Sequence, residues 1–467
     1  MWNSICPDTP PLGLGYLLAS LKRAGFSGRV VDLAQKKDRG VRLRDVLRTM
    51  RPAVVGVQAY SNEVEAVGKT IEAVRAELGE QTTVVLGGPH VSTTREQALD
   101  HFPGADFGLC GEGEISFVRL MQSLPGGKQH ADLGIPGLVY RADGGVRMNE
   151  PQFVTDLDQL APPDWDALGV TQYDTDSFGG GYAKRSPAAC MLTSRGCPFR
   201  CTFCAANPVS GRLFRVHSGA RVVWEMQELI ARGFREIKIL DDNVAADIRH
   251  LREVHAAMKA AKLDLAVSVV CGLHLRTIDE EVIELLLAMG AYQIMVAVES
   301  GAEHVLRDMN KGIDVPLVRE KVALLRKYKL PTAGYFLIGY PTETRADIER
   351  TISLALELPL VRAHFNMFSP YPGAEVYEQL RREGRLQEIE LVKMHAETAN
   401  YSFVEGVSVR ELNAIRRRAL LRFYLRPRIL WGFLRSMNNK SSMKFLFRKT
   451  LQYFGLRGRS NRAKEIA

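Results

Sequence analysis

The sequence predicts an α/β protein made of two successive strand–helix series and a basic helical tail. Three observations carry this. Short β-branched or apolar runs alternate with helix-length segments over most of the chain, the pattern of parallel sheets covered by helices. Glycines and turn residues follow the ends of those runs, where ligands collect in open α/β sheets. Charge is also divided. The net +9 splits into a −5 body and a +14 tail, because Arg410–Ala467 holds 16 Lys/Arg against 2 Asp/Glu.

At 467 residues, 46% hydrophobic and 25% charged, the chain has material for two or three domains and is neither fibrous nor largely disordered. The longest near-apolar run, Val282–Val298, is broken by Glu284, Gly290 and Gln293, which argues against a spanning helix. Met1–Pro11 is polar and proline-rich, unlike a cleavable leader. Seven cysteines, three of them within eight residues, do not make a disulfide scaffold. A reducing, cytoplasmic setting is expected.

In the first series, over residues 1–133, Leu14–Ala24, Arg42–Met50 and Glu63–Leu78 read as helices. Arg29–Leu33, Val54–Gln58, Val84–Leu86 and Asp106–Leu109 read as strands. No apolar run precedes Leu14, so a first strand is missing; either the domain is incomplete or the true start lies upstream. Residues 134–184 form a connector, with a hairpin at Leu138–Arg141 and Val146–Asn149 about Asp143-Gly144-Gly145.

The second series occupies residues 185–400. Its strands are Ala188–Thr193, Glu236–Leu240, Ala266–Val270, Gln293–Val298, Gly334–Ile338 and Ala363–Phe368. Helices are expected at Ala220–Arg232, Asp247–Lys262, Asp279–Met289, Val315–Lys329 and Arg345–Leu358. Six alternations predict an open, TIM-type (β/α)6 partial barrel with chemistry at the strand C-termini.

The first of these strands leads into Cys197-Pro198-Phe199-Arg200-Cys201-Thr202-Phe203-Cys204. Three thiolates on one loop can converge on a soft metal centre. A structural zinc site would need a fourth ligand, and no CxxC or HxxxH partner lies nearby. Cys190 falls inside an apolar strand and reads as core. Three cysteines therefore imply an iron–sulfur cluster with one iron open to a non-protein ligand.

CxxxCxxC on this loop resembles the radical S-adenosylmethionine (SAM) superfamily. The resemblance implies a [4Fe–4S] cluster on Cys197, Cys201 and Cys204, with SAM on the open iron. Reductive cleavage of SAM to a 5′-deoxyadenosyl radical would then be the first chemical event. Leu240-Asp241-Asp242-Asn243 and Val298-Glu299-Ser300-Gly301 match SAM-contacting segments of that superfamily, so Asp241, Asp242, Glu299, Ser300 and Gly301 are candidate SAM residues. Gly339-Tyr340-Pro341-Thr342-Glu343-Thr344 resembles its GxPxET turn, and Asn366–Gly373 closes the sixth strand. Taken singly, each segment could be no more than a turn; in order, at successive strand ends, they form a pattern. Arg215 and Arg276 read equally well as solvated surface.

Pro10-Pro11-Leu12-Gly13-Leu14-Gly15-Tyr16, Gly87-Gly88-Pro89-His90 and Gly111-Glu112-Gly113-Glu114 resemble the cobalamin (B12)-binding branch. That implies a Rossmann-like N-terminal domain, with Ser61, Gly87, Gly88, Gly111 and Glu112 as candidate cobalamin contacts. Such domains also persist as scaffold. No DxHxxG occurs, so the familiar histidine ligand to cobalt is absent, and a loop histidine such as His90 reads as solvated.

The leading implied activity is cobalamin-dependent methylation of a poorly activated carbon or phosphorus. Radical ring formation, rearrangement or oxidation is the first rival, and a non-catalytic cluster- or cobalamin-binding sensor the second. The implied partners are a small-molecule substrate and an electron donor such as flavodoxin or ferredoxin; no recognised module supports nucleic acid. In the tail, residues 401–467, Arg416–Arg428 and Arg435–Lys449 interleave bases with large apolar residues. This reads either as helices packing on the barrel with bases outward or as a peripheral contact with anionic lipid, with a hydrophobic or lipid-like substrate.

Overall fold

The computed structural model describes residues 9–32, 43–128, 131–180, 183–386 and 389–436. In the first sheet, β1 (Val54–Gln58), β2 (Thr83–Gly87) and β3 (Phe107–Leu109) run parallel, with Val54 opposite Thr83 and Val85 opposite Phe107. The expected hairpin forms as β4 (Leu138–Ala142) and β5 (Gly145–Met148). It does more than connect: β4 pairs antiparallel with β3, Phe107 opposite Tyr140, and completes a five-stranded sheet. Val67, Ile71 and Val74 of helix Val64–Leu78 cover one face of this sheet, packing with Val84, Leu86 and Leu99.

Arg29–Leu33 departs from expectation. Arg29–Asp32 is irregular and pairs with no strand among the described residues, while Leu33 lies outside them. Val30 packs instead against the large core of the second half, and Asp32 accepts from Tyr173 Oη at 2.7 Å. An apolar contact and a polar partner are thus both supplied without a ladder, and tertiary context overrides β-propensity.

The second sheet has six strands, all parallel: β6 (Ala188–Met191), β9 (Glu236–Ile239), β10 (Ala266–Leu273), β11 (Ala291–Glu299), β12 (Thr332–Ile338) and β13 (Arg362–Met367). The short pair β7 (Ser194–Arg195) and β8 (Arg215–Val216) stands apart from it. The helices between the main strands start at side-chain caps. Ser218, Asp247, Asp279 and Asp314 each accept a backbone N–H of the first turn, and Thr344 with Asp347 forms a capping box. This sheet is the open (β/α)6 barrel that the spacing predicts.

The end of the barrel at the strand N-termini is sealed. Lys238, 1% exposed, donates to the carbonyls of Asp176 and Phe178, both at 2.8 Å. Glu236 accepts from Lys184 N, Arg185 N and Tyr292 Oη. Phe178 packs with Cys190 and Val270 inside, so Cys190 is core as expected. Approach to the barrel interior is left to the strand C-termini.

The tail resolves in part. Helix Val409–Tyr424 buries Leu412, Ile415, Ala419, Leu420 and Phe423 in the barrel's own core. Arg416 donates to Phe365 O, and Arg426, just past the helix, to Leu356 O, while Arg417 and Arg418 are exposed. This is the packing alternative for that stretch. Leu421, Leu425, Leu430 and Trp431 stay exposed, and the rest of the tail beyond 436 lies outside the described residues. Among the described residues, no helix is long and apolar enough to cross a membrane.

Candidate active site

The cysteine loop leaves β7 through Gly196, whose φ is +86°. A Cβ there would stand 2.3 Å from Leu213 O, so only glycine fits this turn. Downstream, Cys197 N donates to Gly211 O at 3.3 Å and Thr202 N to Met309 O at 3.0 Å. Phe199 stacks on His274 with ring centroids 3.7 Å apart. The loop is therefore pinned at several points before any ligand binds.

Cys197, Cys201 and Cys204 are free thiols, each partly exposed. Burial raises all three, Cys204 to about 12, and the neighbouring thiols and Asp242 add to the rise at Cys197 and Cys204. Lys311 opposes the rise at Cys197 and Cys201. Among the described residues, no three His, Cys, Asp or Glu side chains could hold a single metal ion. Three soft sulfurs on one pinned loop, with Ala206 N–H donating to Cys204 Sγ at 3.5 Å, suit a wider iron–sulfur cluster.

The predicted SAM residues divide into two groups. Glu299 ends β11 with φ +67°, a strained position for a residue with a side chain. Its Oε1 pairs with Lys311 Nζ at 3.1 Å. Asp242, exposed at the strand end, bonds Ser210 and Gly196 N. Asn243 is 2% exposed and neither atom of its amide has a hydrogen-bond partner among the described residues. A buried unmatched amide marks a place where another molecule completes the bonds, and these strand ends fit a polar ligand such as SAM.

The others face inward. Asp241 accepts from Thr193 N, Thr193 Oγ1 and Ser194 Oγ at 2.5–2.7 Å. Ser300 is fully buried against Thr351. A Cβ on Gly301 would meet Arg350 O at 2.6 Å. These three shape the strand ends through backbone and packing.

On the first sheet, Gly87 ends β2 with nothing within 4 Å of where a Cβ would stand. Gly88 has φ +93° and presses on Ala59. This open cradle fits a bulky ligand such as a corrin. Ser61 Oγ lies 3.1 Å from His90 Nδ1, and His90 Nε2 lies 3.1 Å from His101 Nδ1. His90 is fully buried rather than solvated, and burial beside His101 lowers its pKa to about 3. Gly111 approaches Pro151 and Phe153, so its close contact is with protein.

Glu112 is spent between the two halves of the chain. It accepts from Val154 N, pairs with Arg215 at 2.7 Å and lies 3.2 Å from Arg195. Arg195 also pairs with Glu114 at 2.7 Å. Arg215 is 3% exposed, which corrects its reading as solvated surface, whereas Arg276 is exposed as that reading has it. A second seam joins the two loops directly. Pro208, just after the cysteines, and Thr93, just after the glycines, both come within about 3.1 Å of where a Cβ on Gly373 would stand.

Lys311 and His274 escape sequence reasoning. Lysine in a glycine turn reads as solvated, and His274 falls in no motif. The available signal was weak: Lys311-Gly312 follows the helix after the Glu299 segment.

Two family profiles match the chain: the B12 binding domain over residues 3–121 and the radical SAM superfamily over residues 191–355. An uncharacterized methyltransferase of Pyrococcus horikoshii is 29% identical over 429 residues, 90% of this chain and 89% of the relative. The cytidylyl-2-hydroxyethylphosphonate methyltransferase of Streptomyces wedmorensis is 28% identical, covering 80% of this chain and 78% of the relative. The fold is shared with the radical SAM methyltransferase TsrM of Kitasatospora setae, solved with tryptophan and a SAM analogue. That match has a TM-score of 0.64 at 24% identity, over 80% of this chain and 74% of that one. The chain thus carries a B12-binding domain over residues 3–121 followed by a radical SAM domain over residues 191–355.

Proposed function

We propose that this chain is a cobalamin-dependent radical SAM methyltransferase acting on a poorly activated carbon or phosphorus of a small molecule. The observation that carries the reading is the presence of both cofactor-type loops on one chain, the Gly87 cradle and the cysteine loop, tied together across the seam between the two sheets. Cys197, Cys201 and Cys204 would hold the cluster, Asp242, Asn243 and Glu299 the SAM, and Gly87 and Gly88 the corrin. Loaded together, these groups supply reductive SAM cleavage and a transferable methyl group.

The chain's own residues prepare the site. Lys311 holds Glu299 in place beneath the thiols. Phe199 on His274 walls one side of the loop. Lys238 and Glu236 tie the segments around Asp176 and Lys184 across the far end of the barrel. A one-electron donor protein such as flavodoxin or ferredoxin would serve as reductant. Exposed Leu421, Leu425, Leu430 and Trp431 beside the basic tail support docking on an anionic membrane surface and a hydrophobic substrate.

Anaerobic reconstitution with iron, sulfide and cobalamin tests the reading. Cluster and corrin absorbance, SAM cleavage under strong reductant, and a product heavier by one CH₂ are expected. Deoxyadenosine without that gain would favour radical ring formation or rearrangement. No SAM cleavage at all would remove the enzyme reading and leave a sensor.

A further inference from the structure

We propose that Glu114 and Arg195, backed by Glu112 and Arg215, form an ionic clamp that fixes the strand-end face of the first sheet against the cysteine loop. This makes Glu114 and Arg195 positioning residues for passage of a methyl group between the two halves. The proposal rests on the methyltransferase reading above.

Location comes first. Glu112 is the N-cap residue of the helix Gly113–Ser123 that follows β3 and Glu114 lies in its first turn, at the same end of the first sheet as the Gly87 cradle. Arg195 ends β7, two residues before Cys197. Among the described residues, no ion pair between the halves outside this cluster involves a residue so close to the cysteines in the chain. Movement of Glu114 relative to Arg195 is thus movement of one cofactor loop relative to the other.

Geometry follows. One guanidinium grips two carboxylates: Arg195 Nη2 lies 2.7 Å from Glu114 and Nη1 3.2 Å from Glu112. Arg215 Nη1 holds the second oxygen of Glu112 at 2.7 Å. The four side chains are between 2% and 11% exposed, and the Arg195 guanidinium lies 4.7 Å from the centroid of the Tyr16 ring. A planar fork held on both prongs has a direction as well as a distance.

Burying such charges is a poor route to stability, because desolvation cancels most of the attraction. Apolar side chains would join the halves at least as firmly, but they would let the faces slide. Behind the clamp the seam is polar and incompletely matched: Tyr16 Oη, Arg195 Nε, Arg221 Nη2, Glu225 Oε2 and His217 Nε2 have no hydrogen-bond partner among the described residues. Those groups call for water. The two bound carboxylates are therefore directional ties across a seam that is otherwise suited to hydration.

The test uses the full chain reconstituted with iron, sulfide and cobalamin, with titanium(III) citrate as one-electron reductant and SAM as the probe. SAM that gives its methyl group to the reduced cobalamin leaves S-adenosylhomocysteine; SAM cleaved reductively leaves methionine and 5′-deoxyadenosine. The proposal expects Glu114→Gln to lower the ratio of S-adenosylhomocysteine to 5′-deoxyadenosine about tenfold. Iron and cobalamin content should stay at wild-type levels. Hydrogen exchange should rise together in segments 107–114 and 193–197, which lie on opposite sides of the seam. Glu114→Asp, which keeps the charge, should restore much of both readouts.

An unchanged ratio, or exchange that rises only in segment 107–114, would overturn the clamp. If the wild type forms neither product, the methyltransferase reading has failed. The exchange data then decide alone whether the two segments are coupled. Should Glu114→Gln not fold, Arg195→Lys keeps the charge but loses the fork, and the same outcomes apply to it.

Discussion

Lys311 Nζ pairs with Glu299 Oε1 at 3.1 Å beside the cysteine loop, with both side chains nearly buried. Burial works against the Lys311 charge, but Glu299, Cys201 and Cys204 outweigh it, and the net shift is upward. The lysine stays charged. Its partner occupies a left-handed backbone position that the surrounding structure must enforce. Lys311→Met should therefore leave a buried, unpaired carboxylate and destabilise the protein by about 3–5 kcal/mol. Denaturant unfolding measures this, and iron retained after reconstitution should fall as well. Wild-type stability in the variant would show that Glu299 needs no partner.

Glu343 turns its carboxylate onto Gly339 N and Tyr340 N, at 2.7 and 3.0 Å. Full burial dominates those bonds and raises its pKa from 4.5 to about 8. The folded state thus holds the proton more tightly than the unfolded chain. Its contribution is fully present below about pH 4.5 and is lost as pH rises through about 8, by up to about 1.4 kcal/mol per pH unit. Glu343→Gln removes that proton. The stability difference, variant minus wild type, should grow between pH 5 and 8 and then level off. A difference flat in pH would mean that Glu343 is ionised throughout.

Much of this architecture is legible in the sequence because apolar strands and capped helices write themselves as local patterns. Ile237 and Ile239 on β9 and Asp279 ahead of Glu280–Ala288 need no distant information. The cysteine loop is legible for the same reason. Arg195 and Arg215 are not: each is a charged residue buried because carboxylates 81 to 103 residues away meet it. Lys311 reaches its carboxylate, Glu299, only through the turn that follows the intervening helix. Arg29–Asp32 fails in the opposite sense, having strand composition without a neighbouring strand.

Gly87 and Gly301 look alike in sequence, each at a strand end, yet they should answer substitution differently. Around Gly87 there is open space, and its φ is not among the positive ones. Gly87→Leu should leave unfolding of the cofactor-free protein within about 0.5 kcal/mol of wild type while weakening cobalamin binding about tenfold or more. Gly301→Ala meets Arg350 O at 2.6 Å and should cost about 1–3 kcal/mol with no ligand present. Titration of cobalamin absorbance alongside denaturant curves separates the two. Undiminished cobalamin binding by Gly87→Leu would empty the cradle of its proposed role.

The tail should likewise split by burial rather than by composition. Phe423 is fully buried in the barrel core, with the Arg426 guanidinium 4.0 Å from its ring centroid. Phe423→Ala should cost about 3–5 kcal/mol through the cavity it leaves. Trp431 is 59% exposed, and Trp431→Ala should change stability by less than about 0.5 kcal/mol. The order reverses on vesicles containing anionic lipid, where an exposed indole beside basic residues adds apolar anchoring to charge attraction. Co-sedimentation at low and high salt should show Trp431→Ala losing most binding and a conservative Phe423→Leu losing little. Equal binding by Trp431→Ala and wild type would leave the exposed face without a membrane role, and would make Val409–Tyr424 part of the barrel and nothing more.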